Sequence, residues 1–215
     1  MSTASQEAFE REPGPGLRSL KKHKTRLAIR DAALELFADQ GFEGTTVDQI
    51  AARAEVSTAT LFRYFKTKSD VVFGGEGDER EYQLPALGRA IAERPSYEND
   101  LSAVRHAVLD EWVPHLDRTR LMRQFRASES SPLLRGLSSN LAHKWQATIS
   151  AAVAQRHQLS EPDRRCKLVA ALALAVFTSS TTAWVQDDSE DLSVEIDRGF
   201  ELMTQLYTEW YETSH

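Results

Sequence analysis

The chain has 215 residues, 41% hydrophobic and 27% charged, with a net charge of −6. That is enough for a packed core in one or two domains. Its one cysteine, Cys166, excludes an intrachain disulfide and a thiolate metal cluster, and the acidic balance looks wrong for a nucleic-acid partner until it is divided along the chain.

Residues 1–16 carry Pro13-Gly14-Pro15-Gly16 and few apolar groups, so a disordered arm is expected, with its boundary near residue 22. A first helix is expected over about 24–40, with Leu27, Ala28, Ala32, Leu36 and Phe37 turned inward and Gly41 ending it. Residues 1–70 hold 11 Lys/Arg against 10 Asp/Glu, net +1, whereas residues 71–215 hold 15 against 22, net −7. Within the first part, Arg18, Lys21, Lys22, Lys24, Arg26 and Arg30 form a basic run without an acidic residue. Such a patch can release counterions from DNA.

Residues 46–65 read as two short helices joined by a tight turn. Thr46 can cap the first, and Gln49 stands three residues on, where it can return the bond. Val47, Ile50, Ala51 and Ala54 share one face at helical spacing. Ser57 is a second cap, and Val56, Leu61 and Phe65 are placed to hold the second helix against its neighbours. Thr58, Ala59, Thr60, Phe62 and Tyr64 then point outward or along a groove. A helix start bearing Ser57, Thr58 and Thr60 suits phosphate. Hydroxyls can reach base edges, and the Ala59 methyl can meet a thymine methyl. This layout is that of a helix-turn-helix, whose second helix enters the major groove.

Residues 26–70 resemble the DNA-binding domain of the tetracycline-repressor (TetR) family of bacterial regulators. The resemblance is carried by Ile29, Ala32, Ala33, Leu36, Phe37 and Gly41-Phe42, then by Thr45-Thr46-Val47, Ile50-Ala51, Ala54, Val56-Ser57, Thr60-Leu61-Phe62, Tyr64-Phe65, Lys68 and Asp70. It implies that Thr58, Ala59, Thr60, Phe62 and Tyr64 face DNA, that Thr46 and Val47 touch the opposite backbone, and that Lys68 caps the next helix against a phosphate. Phe62 departs from the family's usual Tyr and removes a phenolic phosphate contact. Glu55 stands where a turn Gly is usual and must tolerate the turn geometry.

Thr67 or Ser69 starts a connecting helix, which Gly74-Gly75-Glu76-Gly77 interrupts. Helical pattern resumes over 78–93, with a kink or restart at Pro85. Further helices are expected over about 96–116, 117–127 and 132–157, the last with Leu133, Leu137, Leu141, Trp145, Ile149 and Val153 as one stripe. Ser160 is read as the cap of a helix to about Val185, apolar or small throughout its middle. A last helix runs over about 192–211. The longest uninterrupted apolar stretch, 168–177, is too short to span a bilayer, and no secretory signal is read at the start, so a cytoplasmic protein is expected.

The expected fold is therefore all-α, with about nine helices. An arm over 1–22 precedes a three-helix helix-turn-helix head over 23–70 and a helical ligand-binding and dimerisation body over 71–215. Ile196, Phe200, Leu202, Met203, Leu206, Tyr207, Trp210 and Tyr211 offer more apolar surface than one neighbour could cover, which suggests a subunit interface. The resemblance agrees, implying a homodimer whose last two helices form a four-helix bundle over a palindromic operator. It also implies a ligand cavity among the middle helices, with Trp112, Arg123, Phe125, His143, Trp145, Phe177, Thr178, Thr181 and Trp184 as candidates. From about residue 121 to 145, and again at Ala183-Trp184, the body is similar to regulators of the mycofactocin type, which points to an acyl or other lipophilic effector.

His106 and Asp110 lie four apart on one helix face, but without a second His or carboxylate pair at ligand spacing they read as a surface pair, so neither metal nor cofactor is expected. No Gly-rich phosphate loop, nucleophile motif or supported acidic dyad argues for an enzyme. The expected function is a ligand-responsive regulator that represses until an effector releases it from double-stranded DNA. An activator of the same fold, or a helical binding or enzymatic protein with a vestigial head, is the alternative.

Overall fold

The computed structural model describes residues 17–73, 79–187 and 189–214. Among these residues there are ten α-helices and one 3-10 turn, and no strand. Helix α1 (Leu17–Gln40), α2 (Val47–Arg53), α3 (Thr58–Tyr64) and the short α4 (Asp70–Phe73) make the head. The body holds α5 (Glu79–Glu93), α6 (Asp100–Glu111), the 3-10 turn Val113–His115, α7 (Arg118–Ser130), α8 (Pro132–Arg156), α9 (Arg164–Gln186) and α10 (Leu192–Ser214).

Several expected boundaries move, each for a local reason. Helix α1 begins at Leu17 rather than near residue 24, so the last residues of the expected arm are helical. Pro85 lies inside α5, which runs on past it. Helix α6 starts at an Asn99 cap, whose side chain accepts from the Ser102 N–H. Helix α9 starts at an Asp163 cap that accepts from Cys166 N–H at 2.8 Å, which displaces Ser160 from that role. The glycine run at 74–77 lies outside the described residues.

Two apolar cores result. The head core joins Ile29, Leu34 and Phe37 of α1 to Ile50, Leu61 and Phe65, and it takes in Val71 and Val72 of α4. The head core thus continues past residue 70, since both valines are fully buried in it. Ala127 of α7 and Leu134 of α8 also belong to it, so the body finishes the head's interior. The body core centres on Ile91, Val104, Val108, Ile149, Val153, Ala170, Ala173, Phe177 and Ile196. Helix α9 is long and apolar enough in composition to cross a bilayer, although its longest unbroken apolar run is short. In the fold it packs between α8 and α10 instead, with Val169, Ala170, Ala173, Val176 and Phe177 buried. Cys166 is buried there as a small apolar side chain, and burial pushes its thiol pKa up.

Candidate nucleic-acid interface and its ties to the body

The turn between α2 and α3 is built from backbone bonds and two caps. Gln49 N–H donates to Thr46 Oγ1 at 3.2 Å, while Thr46 N–H donates to Gln49 Oε1 at 2.8 Å, the reciprocal box expected from the sequence. Glu55 sits at φ +55°, in the left-handed region that a helix C-terminal turn of this kind requires. Val56 N–H reaches back to Ala51 O at 2.9 Å and Glu55 N–H to Ala52 O at 3.2 Å. The turn geometry is that of a glycine, carried by a glutamate. Ser57 then caps α3, its Oγ accepting from Thr60 N–H at 3.1 Å.

Leu61 and Phe65 anchor α3 in the head core, which leaves Ala59, Phe62 and Arg63 as its exposed line, with Lys66 one turn beyond. Thr46 and Ser57 are exposed, Thr58 and Thr60 half-buried, and Val47 packs against the head core. Arg63 was not among the expected contacts. The signal was available, since it lies four residues from Ala59 on the same face.

Two expected contacts are turned to internal work. Lys68 Nζ donates to Phe42 O at 2.5 Å and to Thr45 O at 2.8 Å, and lies 4.2 Å from the centre of the Phe42 ring. It ties down the loop that launches α2. Tyr64 packs on the head core, and its carbonyl accepts from Arg26 Nη1 at 3.2 Å. Arg26 also stacks over Phe65, 4.5 Å from the ring centre. Of the six basic residues at 18–30, Arg26 and Arg30 are therefore structural, whereas Lys21, Lys22 and Lys24 are exposed. Thr67 and Asp70 exchange backbone-to-side-chain bonds of 2.8 and 3.2 Å at the start of α4, so Thr67 rather than Ser69 is the cap.

Helix α7 joins this head to the body. Arg120 clasps Asp31 of α1 with two bonds of 2.8 and 3.1 Å. Arg123 reaches Glu35 at 3.0 Å, whose other oxygen takes Arg53 of α2 at 2.8 Å. Arg30, only 7% exposed, donates to Gln124 Oε1 at 3.0 Å and to Val72 O at 3.1 Å. At the start of the same helix Arg118 holds Trp184 O and Val185 O, at 2.8 and 3.0 Å, closing the end of α9.

The expected pocket residues divide. Trp112, Trp145 and Trp184 pack against the body core beside buried Phe177, and the Trp112 and Trp145 rings meet edge to face at 4.9 Å. Trp112 Nε1 is buried without a hydrogen-bond acceptor. Thr181 is buried but bonded to its own helix at Phe177 O, 2.6 Å away. Phe125 is half-buried on α7. Arg123 does not join them, being committed to Glu35, and His143 and Thr178 are exposed. An open cavity of about 480 Å³ lies elsewhere, lined by none of the nine: Asn99 to Ser102 and Arg105 of α6 and its cap, Arg165 and Val169 of α9, and Phe200, Glu201, Met203 and Thr204 of α10 line it. Among the described residues no cluster of His, Cys, Asp and Glu could hold a metal; His106 pairs with Glu98 at 3.3 Å.

Residues 29–73 match the family described as bacterial regulatory proteins, tetR family, and residues 98–208 match the MftR C-terminal domain. The chain is 31% identical over 209 residues to the HTH-type transcriptional regulator TcmR of Streptomyces glaucescens, across 92% of this chain and 91% of that one. It is 30% identical over 179 residues to MftR of Mycobacterium tuberculosis, a regulator named for mycofactocin biosynthesis, across 81% of this chain and 87% of that one. The fold is shared with SmeT of Stenotrophomonas maltophilia, solved as a triclosan complex, with a TM-score of 0.60 at 17% identity over 83% of this chain and 91% of that one. A helix-turn-helix head on an all-helical body, matched over nearly the whole length by transcription regulators, leaves one conclusion: the chain belongs to the TetR family of bacterial transcription regulators.

Proposed function

We propose that this regulator is a cytoplasmic, dimeric repressor that lays α3 in the major groove of a palindromic operator and leaves it when a lipophilic effector enters the body. The observation that carries the DNA half is the outward line of α3. Ala59, Phe62 and Arg63 stand clear of the head core on a helix fixed at both ends, by Ser57 and by the Arg26 bond to Tyr64 O. Thr46, Ser57, Thr58 and Thr60 flank that line at the two helix starts, where free N–H groups favour phosphate. Val47, Tyr64 and Lys68 position the reading helix from behind.

Dimerisation through α9 and α10 is supported by one apolar face left open on them, with Leu168, Leu172, Leu202, Leu206 and Trp210 exposed. The effector site is the aromatic region of Trp112, Trp145 and Trp184, where the buried Trp112 Nε1 supplies a donor to a mostly apolar ligand, an acyl compound among the candidates. An effector wedged there displaces the start of α7 through Arg118, and α7 carries the shift to α1. Only a ligand that prefers the displaced arrangement releases the operator.

The test is a binding assay of the full chain on duplexes enriched from a random pool, over a salt series. Specific, salt-weakened binding is expected, and Arg63→Glu reduces it more than tenfold. Equal affinity for all duplexes, or an unaffected Arg63→Glu protein, counts against this reading.

A further inference from the structure

The groups beside Phe62 are already spoken for. Ser57 Oγ donates to Thr60 Oγ1 at 2.9 Å and accepts from Thr60 N–H at 3.1 Å. Thr58 Oγ1 donates to Asp48 Oδ1 at 2.9 Å. The Ser57 proton is therefore held within the start of α3, and the Thr58 proton across the two helices of the motif. The Arg63 guanidinium lies over the Tyr64 ring, 5.4 Å from its centre. What α3 presents at that centre is apolar: the Ala59 methyl and the Phe62 ring, which is 50% exposed.

A bare phenyl ring has nothing to give a hydrogen-bonding base edge. In the major groove the C5-methyl of thymine is the one apolar group that a base pair offers. We propose that Phe62, backed by Ala59, is a specificity-determining residue that selects thymine by methyl contact at one position of each half-site. Hydroxyls at the helix start fix the turn instead of reading bases. The inference rests on the placement of α3 in the major groove proposed above.

The experiment uses the full chain and the duplex that it enriches from a random pool. Each thymine is replaced in turn by deoxyuridine, which removes only the methyl. For the wild-type protein, one thymine per half-site is expected to lose about fourfold in affinity on this change, the value of one buried methyl-sized group. Phe62→Ala, at an exposed position, keeps its fold by circular dichroism and binds thymine and uracil duplexes equally at that position. Phe62→Leu keeps the discrimination. An enriched duplex with no methyl-sensitive thymine, or a sensitivity that survives unchanged in Phe62→Ala, overturns the thymine contact while leaving the groove placement standing. Failure to enrich any duplex overturns the placement and the contact together.

Discussion

Glu55 shows what a single backbone angle costs. At φ +55° a residue with a Cβ is strained, and glycine is not. Glu55→Gly is therefore expected to raise stability by about 0.5 to 1 kcal/mol, after the greater freedom of glycine in the unfolded chain is set against the relief. A chemical denaturation midpoint that falls would refute it. Lys68 works in the opposite sense. Lys68→Met removes a cation from two carbonyls and is expected to cost about 2 kcal/mol, read as a lower denaturation midpoint. Its weaker DNA binding should follow that loss of stability and recover when Glu55→Gly is added. Glu98 adds to the acid sensitivity of the fold. Its bond to Arg94, at 2.7 Å, with His106 on the other side, holds its pKa down at about 2 against an ordinary value of 4.5. A carboxylate depressed in the folded state stabilises fully above 4.5 and loses that contribution as pH falls toward 2. Glu98→Gln should therefore flatten the stability profile in that window, measured by denaturation at successive pH values. The residues legible in the sequence were those whose partners lie nearby, such as Gly41, Glu55 and Ser57. Lys68, Arg26 and Arg30 were not, because their acceptors are carbonyls that only the fold brings to them.

Among the elements, the two head helices and the caps that start them could be read directly, since a capping box and a 3.6-residue stripe are local signals. The starts of α6 and α9 could not, because several polar residues precede each and the choice of Asn99 and Asp163 is made by which side chain meets its own N–H groups. The effector region was legible only in part. Tryptophans on three elements converge, but nothing in their spacing could reveal that Arg123 is taken by α1 or that a cavity opens beside α10. Helices α9 and α10 meet over Gly199, where an added Cβ would lie 2.7 Å from Ser180 Oγ and 2.8 Å from Val176 Cγ1. The Ser180 hydroxyl is itself bonded to Glu195 O at 2.9 Å. Gly199→Ala should force the pair apart at a cost of about 1 to 3 kcal/mol. Its denaturation midpoint should drop and, if the two helices form the subunit interface, its sedimentation should show a weaker dimer at the same concentration.

Across the whole molecule the head and body are coupled through α7, with Leu134 at the start of α8 completing the contact. The ion pairs of Arg120 and Arg123 are partly exposed and add little to stability, about 1 kcal/mol together. Their expected value lies in transmission. The double variant Arg120→Ala, Arg123→Ala should keep operator affinity within a few-fold and keep effector binding, yet lose most of the effector-driven release. Release at the wild-type effector concentration would move the coupling elsewhere. The division of charge, net +1 over residues 1–70 against −7 over the rest, gives this arrangement a direction, since the body is repelled from the duplex that the head approaches.

The buried bond between Arg30 and Gln124 carries a further consequence, for how such regulators can be recombined. A guanidinium 7% exposed relies on an amide from a helix far along the chain, while Ala127 and Leu134 fill the same interior. The reading module is thus not a detachable cassette. Cut away after residue 73, it would open its own core to water and lose an acceptor for a buried cation. A chimaera that grafts this head onto another sensor should inherit the stability of the original only if α7 and the first turn of α8 travel with it.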